Sequence, residues 1–322
     1  MNTPGWLADA LANPGITDIC LNGTSGAFVD RGQGLEPLGS GVWQEDTMRT
    51  WVLEQISRAG KTWDARYPFT DATLSSGHRL HVAFPPLAQQ GILISLRRLP
   101  GAAPERSQGS VRWGSSPHYG MLVEAVSRGD SVLVSGATGS GKTTLASDLL
   151  ECVPSAERIL ALEDTPELSP RHPHFVSLTS RPPNADGFGE VTLRVLLKQA
   201  LRMRPDRIIL GECRGAEVLD LLQALNTGHR GTLATLHANS PRDALRRVEL
   251  LCLLAAGGAV PSSAIRELLA VGVQWVVQVK RMGARREITE LWRVEGREGD
   301  TLIMRPIQNA HSPSLQLHAL TR

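Results

Sequence analysis

From residue 130 onward the chain alternates between short unbroken apolar runs and longer stretches with apolar residues at helical intervals. The runs are 132–135 (VLVS), 159–162 (ILAL), 208–210 (IIL) and 233–236 (LATL). Helical spacing appears over 143–150, 191–203 and 218–225, the second stopping before Pro205 as the residue restraints around proline require. A further helix is expected to open at Ser240-Pro241, with serine as N-cap and proline in the first turn. Such alternation predicts a mostly parallel sheet with helices on both faces. The pattern before residue 99 is different. Strands are expected over 16–21 and 27–29 around the Asn22-Gly23 turn, and over 80–84 and 92–96. A helix is expected over 48–59, where Trp51, Val52, Gln55 and Ile56 lie close to helical spacing. Between the two patterns, 99–110 (LPGAAPERSQGS) holds proline, glycine and small residues with no apolar period. It reads as a linker. The expected division is therefore a smaller α+β domain over 1–98, a linker over 99–110 and an α/β domain over 111–322.

Length and composition agree with two domains, since 322 residues is about twice an ordinary domain. With 41% hydrophobic and 20% charged residues the chain can bury a core, which excludes a disordered or collagen-like protein. The formal net charge of +2 is too small to imply a nucleic-acid partner. The four cysteines stand far apart with no CxxC pair, so neither a zinc module nor a disulfide framework is expected. The most apolar region, 250–279, is interrupted by Gly257, Gly258, Pro261, Arg266 and Glu267, and no secretory leader is visible at the N-terminus. A soluble cytoplasmic protein without a transmembrane segment is expected.

The strongest chemical signal is Gly136-Ala137-Thr138-Gly139-Ser140-Gly141-Lys142-Thr143, followed by Thr144. It matches GxxxxGK[ST], directly after an apolar run and opening a helical pattern. Glycines let successive backbone N–H groups point inward around phosphate oxygens, and the helix N-terminus adds partial positive charge. Lys142 would reach the β- and γ-phosphates, and the Thr143 hydroxyl would hold Mg²⁺. Cation usage supports the lysine: only residues 61, 142, 198 and 280 are lysine among 34 cations, the rest being arginine. A compact ammonium fits between phosphates where a planar fork does not.

Three polar residues follow apolar runs in the same manner: Glu163, Glu212 and His237. In an open parallel sheet ligands bind beyond the carboxyl ends of the strands, so these side chains converge on the edge that carries the phosphate loop. Nucleotide hydrolysis needs a group to orient a water in line with the γ-phosphate and ligands for Mg²⁺. Glu163 and Glu212 are candidates for either role, with Asp164 beside the first. His237 would sense the γ-phosphate by hydrogen bonding, and His229 is a weaker candidate in a Gly-His-Arg-Gly turn. Further cations for charge neutralisation are Arg202, Arg204 and Arg214 around the third run, with Arg79, Arg97 and Arg98 from the first domain.

These segments resemble a known family. The phosphate loop, ILALEDTPEL, LRMRPDRIILGECRG and NTGHRGTLATLHANS are similar to the Walker A, Asp box, Walker B and His box of the secretion-superfamily ATPases, the hexameric motors of type II and type IV secretion and pilus assembly. The similarity extends from ITDICLNG, SGHRLHVAFPP and ISLRR in the first domain almost to the C-terminus. Within the family, RPPNADGFGEVT looks most like the tight-adherence (Tad/Flp) pilus ATPases of CpaF type, and conjugation-type secretion ATPases are close relatives. The resemblance implies a RecA-like C-terminal domain, a PAS-like N-terminal domain and ATP with Mg²⁺ between them. It implies Glu163 as the catalytic glutamate, Glu212 as the Walker B acid near the metal and His237 as the His-box residue. Arg79 and Arg97 match arginines that reach nucleotide phosphates in relatives, and Arg204 and Arg214 match arginines around Walker B. The implied assembly is a homohexamer at the cytoplasmic face of the inner membrane, docked on platform proteins of a pilus or secretion machine. The alternatives are a conjugation-type IV secretion ATPase and a DNA-translocating RecA-type motor; the second is disfavoured by 4% aromatic residues and the near-neutral charge.

Overall fold

The computed structural model describes residues 3–23, 26–39, 43–99, 109–184, 187–226, 228–283 and 285–308. Most of the expected linker, 100–108, lies outside the described residues. The chain falls into two compact units. Unit 1 is Met1–Arg106 with Thr165–Ser169 and Ser180–Thr192; unit 2 is Ser107–Asp164 with Pro170–Thr179 and Leu193–Arg322.

Unit 1 contains α1 (Gly5–Ala12), β1 (Asp18–Asn22), β2 (Ala27–Asp30), β3 (Leu35–Leu38), α2 (Glu45–Arg58), β4 (Phe69–Thr73), β5 (His78–Ala83) and β6 (Leu93–Arg98). The strands form one sheet in the order β3-β2-β1-β6-β5-β4, every pair antiparallel. Burial alternates along them. Ile19, Leu21, Val29, Leu80, Val82, Ile94 and Leu96 are buried, and the register sets them side by side on one face. Helix α2 buries Met48, Trp51, Val52 and Ile56, at i, i+3, i+4 and i+8, into the same core, and Leu7 and Ala10 of α1 join it.

Unit 2 opens with α3 (Gly109–Trp113) and α4 (Pro117–Arg128). It continues through β7 (Val132–Gly136), α5 (Lys142–Leu150), β8 (Ile159–Glu163), β9 (Phe175–Thr179), α6 (Leu193–Ala200), β10 (Arg207–Leu210), α7 (Glu217–Asn226), β11 (Leu233–Leu236) and α8 (Pro241–Ala256). It ends with α9 (Ser262–Gly272), β12 (Trp275–Met282), β13 (Arg285–Glu298) and β14 (Thr301–Pro306). Its eight-stranded sheet has the order β14-β13-β12-β7-β11-β10-β8-β9. The six strands from β12 to β9 run parallel, and β13 and β14 are antiparallel additions at one edge.

The apolar runs become strands because they are buried on both faces. Every residue of β7, β8, β10 and β11 is buried. Leucines of α6, α7, α8 and α9 complete the core around them. The expected cap of α8 is present: Ser240 Oγ accepts from Asp243 N at 3.2 Å and donates to its carboxylate at 2.7 Å, with Pro241 at the first turn. Helix α6 is shorter than the periodicity suggests. Residues 201–203 leave it in tight turns toward Pro205, which has no N–H to continue a helix.

The candidate nucleotide site

Strand β7 is the topological switch of the sheet. The chain leaves it through α5 to reach β8 on one side, while β12 pairs with β7 on the other. A crevice at the carboxyl edge of such a strand is where open α/β sheets hold ligands. The glycine loop sits there, between Gly136 at the end of β7 and Lys142 at the start of α5.

Two glycines of the loop are required by geometry. Gly136 has φ 157°, and a Cβ there would lie 2.4 Å from Val279 O and 2.5 Å from Ser140 Oγ. Gly141 has φ 102°, in the left-handed region, and a Cβ would lie 2.7 Å from Arg286 Cδ. Lys142 is buried and folds back over the loop, its Nζ donating to the carbonyls of Gly136 at 3.1 Å and Ala137 at 2.9 Å. Ser140 Oγ is buried with no hydrogen-bond partner among the described residues.

The carboxyl ends of β8, β10 and β11 bring the other candidates together. Glu163 ends β8, is buried, and its Oε2 accepts from Ser177 Oγ of β9 at 3.1 Å. Its Cγ lies 2.8 Å from where a Cβ on Gly211 would stand, so glycine after β10 gives this carboxylate its room. Glu212 accepts from Arg214 Nη2 at 2.6 Å and contacts His237 Nε2 at 2.9 Å. Arg214 also lies 3.9 Å from Asp164. Burial works against the charge on Glu212. The hydrogen bond and charge of Arg214, with the neighbouring His237 and Lys142, nevertheless hold its carboxyl below the ordinary value. The His237 ring is pushed below its ordinary value, first by burial and then by the charge of Lys142, against the pull of Glu212 and with Arg214 and Arg247 adding to the depression. At neutral pH the pair is therefore a neutral imidazole and an ionised carboxylate. The ring proton on Nε2 is the one donated to Glu212, which leaves Nδ1 as the acceptor.

Other sequence candidates go elsewhere. Arg204 sits in the turn before β10, at φ 54°, exposed and 3.9 Å from Asp206. The whole of β10 separates it from Glu212, because a residue preceding a parallel strand lies at the edge opposite one that follows it. Arg202 shares that turn, and His229 precedes β11 at the same edge. Arg98 is committed to structure: it donates to the carbonyls of Leu11 (2.6 Å), Asn13 (2.7 Å) and Ile16 (3.0 Å), tying down the end of α1. Arg79 and Arg97 are direct cross-strand neighbours on β5 and β6 of unit 1. Like charges so placed repel; Asp71 at 3.5 Å and Asp18 at 3.9 Å offset the repulsion.

Sequence reading misses two supports of the site. Ser177 holds Glu163 from a strand 14 residues away. Buried Gln278 of β12 joins Ser135 of β7 and donates to Ala238 O at 3.1 Å, fixing the chain just after His237. No local signal marks either residue, since each acts on a partner far off in the sequence.

A family model described as Type II/IV secretion system protein matches residues 8–295. The putative conjugal transfer protein Rv3659c of Mycobacterium tuberculosis is 39% identical over 329 residues, covering 99% of this chain and 93% of the relative. The type IV secretion system protein PtlH of Bordetella pertussis is 31% identical over 316 residues, covering 89% of this chain and 92% of the relative. Among solved structures, that of the pilus retraction motor PilT with bound ADP matches with a TM-score of 0.65 at 20% identity, over 89% of this chain and 83% of that one, a likeness of fold. No helix among the described residues is long and apolar enough to cross a membrane.

Proposed function

Because the chain belongs to the type II/IV secretion system protein family, we propose that it is an ATPase motor of a type IV secretion or conjugation-type apparatus. One observation carries the enzymatic reading: the Lys142 loop, Glu163, Glu212 and His237 occupy one edge of one sheet. Residues 136–144 take the phosphates, and Lys142 moves from the carbonyls of Gly136 and Ala137 onto β- and γ-phosphate oxygens. Glu163 orients a water in line with the γ-phosphorus and accepts its proton. The bond from that phosphorus to the β–γ bridging oxygen breaks, giving ADP and inorganic phosphate.

A Mg²⁺ ion fits the donors present. The Thr143 hydroxyl and an ionised Glu212 are hard oxygen ligands, and this ion takes few protein groups beside phosphate and water. When bound, it would neutralise charge on the β- and γ-phosphates. His237, neutral and bonded to Glu212, ties the γ-phosphate end of the site to β11. Arg214 favours the charged form of Glu212 and lies beside Asp164. Arg79, Arg97 and Arg204 are proposed to supply positive charge to nucleotide in the assembled protein. The strand order supports a RecA-like unit 2, and the antiparallel sheet with two helices supports a PAS-like unit 1. The assembly we propose is a homohexamer, peripheral at the cytoplasmic face of the inner membrane and docked on platform proteins.

The conjugal-transfer and type IV secretion relatives support this reading over the tight-adherence pilus that RPPNADGFGEVT suggests. That segment lies in unit 1, closed by the bridge between Arg181 and Val191. The deciding experiment is phosphate release by the purified full-length protein, paired with a chromosomal Lys142→Ala strain scored for both DNA or protein transfer and surface pili. Turnover with loss of transfer supports the proposal; loss of pili alone would return the tight-adherence reading. Wild-type turnover by a Glu163→Gln enzyme would remove that residue from catalysis.

A further inference from the structure

The β12–β13 hairpin carries four cations within seven residues: Lys280, Arg281, Arg285 and Arg286. Val279 pairs with Gly136, the last residue of β7. The hairpin beyond Val279, where Arg281 pairs with Arg286, therefore continues past the strand edge beside the glycine loop. Arg286 reaches the loop itself. A Cβ on Gly141 would come 2.7 Å from its Cδ and 3.5 Å from its Cβ and Cγ, so the arginine stem lies along the residue that precedes Lys142.

The strand order gives this position a meaning. Glu163, Glu212 and His237 approach from β8, β10 and β11 on one flank of β7, whereas Arg286 approaches from β12 and β13 on the other. The loop has a carboxylate flank, where the phosphoryl group would react, and opposite it a flank on which Lys280 is paired with Glu290 and Arg286 lies against Gly141.

We propose that Arg286 is a nucleotide-contacting residue whose guanidinium binds the α- and β-phosphates, at the end of the chain away from the reacting γ-phosphorus; this rests on the loop being the phosphate site. A guanidinium presents paired donors that match two phosphate oxygens. Its stem is already laid against Gly141, so little side-chain freedom is lost on binding. ADP and ATP share the phosphates it contacts, and the contact is the same in ground and transition states. It therefore contributes to affinity and not to the rate of the bound complex.

The test uses the full-length protein, with Kd from mant-ADP fluorescence and from its displacement by ADP and ATP, and steady-state hydrolysis alongside. Arg286→Ala is expected to weaken ADP and ATP about tenfold each, raise KM to match and leave kcat within about twofold. Arg286→Lys should recover part of the affinity, and Arg286→Gln should behave as alanine while keeping the packing on Gly141. Unchanged Kd in both the alanine and glutamine variants, or a loss confined to kcat, would overturn the proposal. Lys142→Ala tests the reading beneath it. If that variant binds mant-ADP as the wild type does, the loop is not the phosphate site. If it loses binding while Arg286→Ala does not, only the role of Arg286 falls.

Discussion

Glu212 and His237 share a proton whose place is set by their surroundings, and this makes acid sensitivity a property of individual residues. His78, His118 and His237 each have a depressed pKa, with burial the leading cause. The unfolded chain takes up protons near pH 6.5 that the folded chain refuses, so stability falls as pH drops through that value. Glu212 is depressed below 4.5, and its contribution is present above that pH and lost as pH falls through the lower, native value. Urea midpoints should therefore decline from pH 7 to 5 and again below 4.5, and His237→Gln should flatten part of the first decline. The two carboxylates separate kinetically. Glu163→Gln should lower turnover about 10²–10⁴-fold with nucleotide still bound, since only proton acceptance is removed. Lys142→Ala should lose binding and turnover together. The placement of Glu163, Glu212 and His237 at one sheet edge was readable in the sequence because each follows an apolar run, and the end of a buried parallel strand fixes where the next side chain goes. Arg204 precedes a run, and for the same reason it lies at the opposite edge of the sheet.

At the scale of elements, α5 does more than close the phosphate loop. Its Asp148 is buried and accepts from Arg112 Nη1 and Trp113 Nε1 of α3, each at 2.7 Å. Asp148→Ala should cost about 3–5 kcal/mol in urea unfolding, because it strands a buried indole N–H and an arginine. Gly141→Ala should abolish nucleotide binding while the fold persists, since the left-handed φ and the Arg286 stem exclude a methyl group only at that turn. The parallel strands β7, β8, β10 and β11 were legible because both-face burial writes an unbroken apolar run, whereas the half-exposed edge strand β9 was not. Strands β3 (LEPL) and β4 (FTDAT) were not, because each belongs to the edge of a sheet and is largely exposed or polar. Strand β12 hid inside the apolar 250–279 region, where composition conceals the break between helix and strand. The Asp148 anchor was invisible for another reason: Arg112 and Trp113 stand 35 or more residues from it and carry no motif.

At the scale of the molecule, a net charge of +2 favours a nucleotide over a polynucleotide as the anion bound. Gel shifts with single- and double-stranded DNA at about 0.15 M salt should show no specific complex, and light scattering after gel filtration should show six copies with ATP analogue present. Retardation that persists in salt would restore the DNA-translocating alternative. Finally, α5 joins two kinds of load. On the proposed reading its first turn meets the nucleotide, and Asp148 near its other end holds the segment through which the chain enters unit 2. At nine residues it is a rod about 14 Å long. If the proposed motor pushes through this short, clamped helix, nucleotide hydrolysis and mechanical output should be separable at its far clamp. A mild Asp148→Asn change should leave an engine that idles: phosphate release continues, and substrate transfer by the intact machine declines.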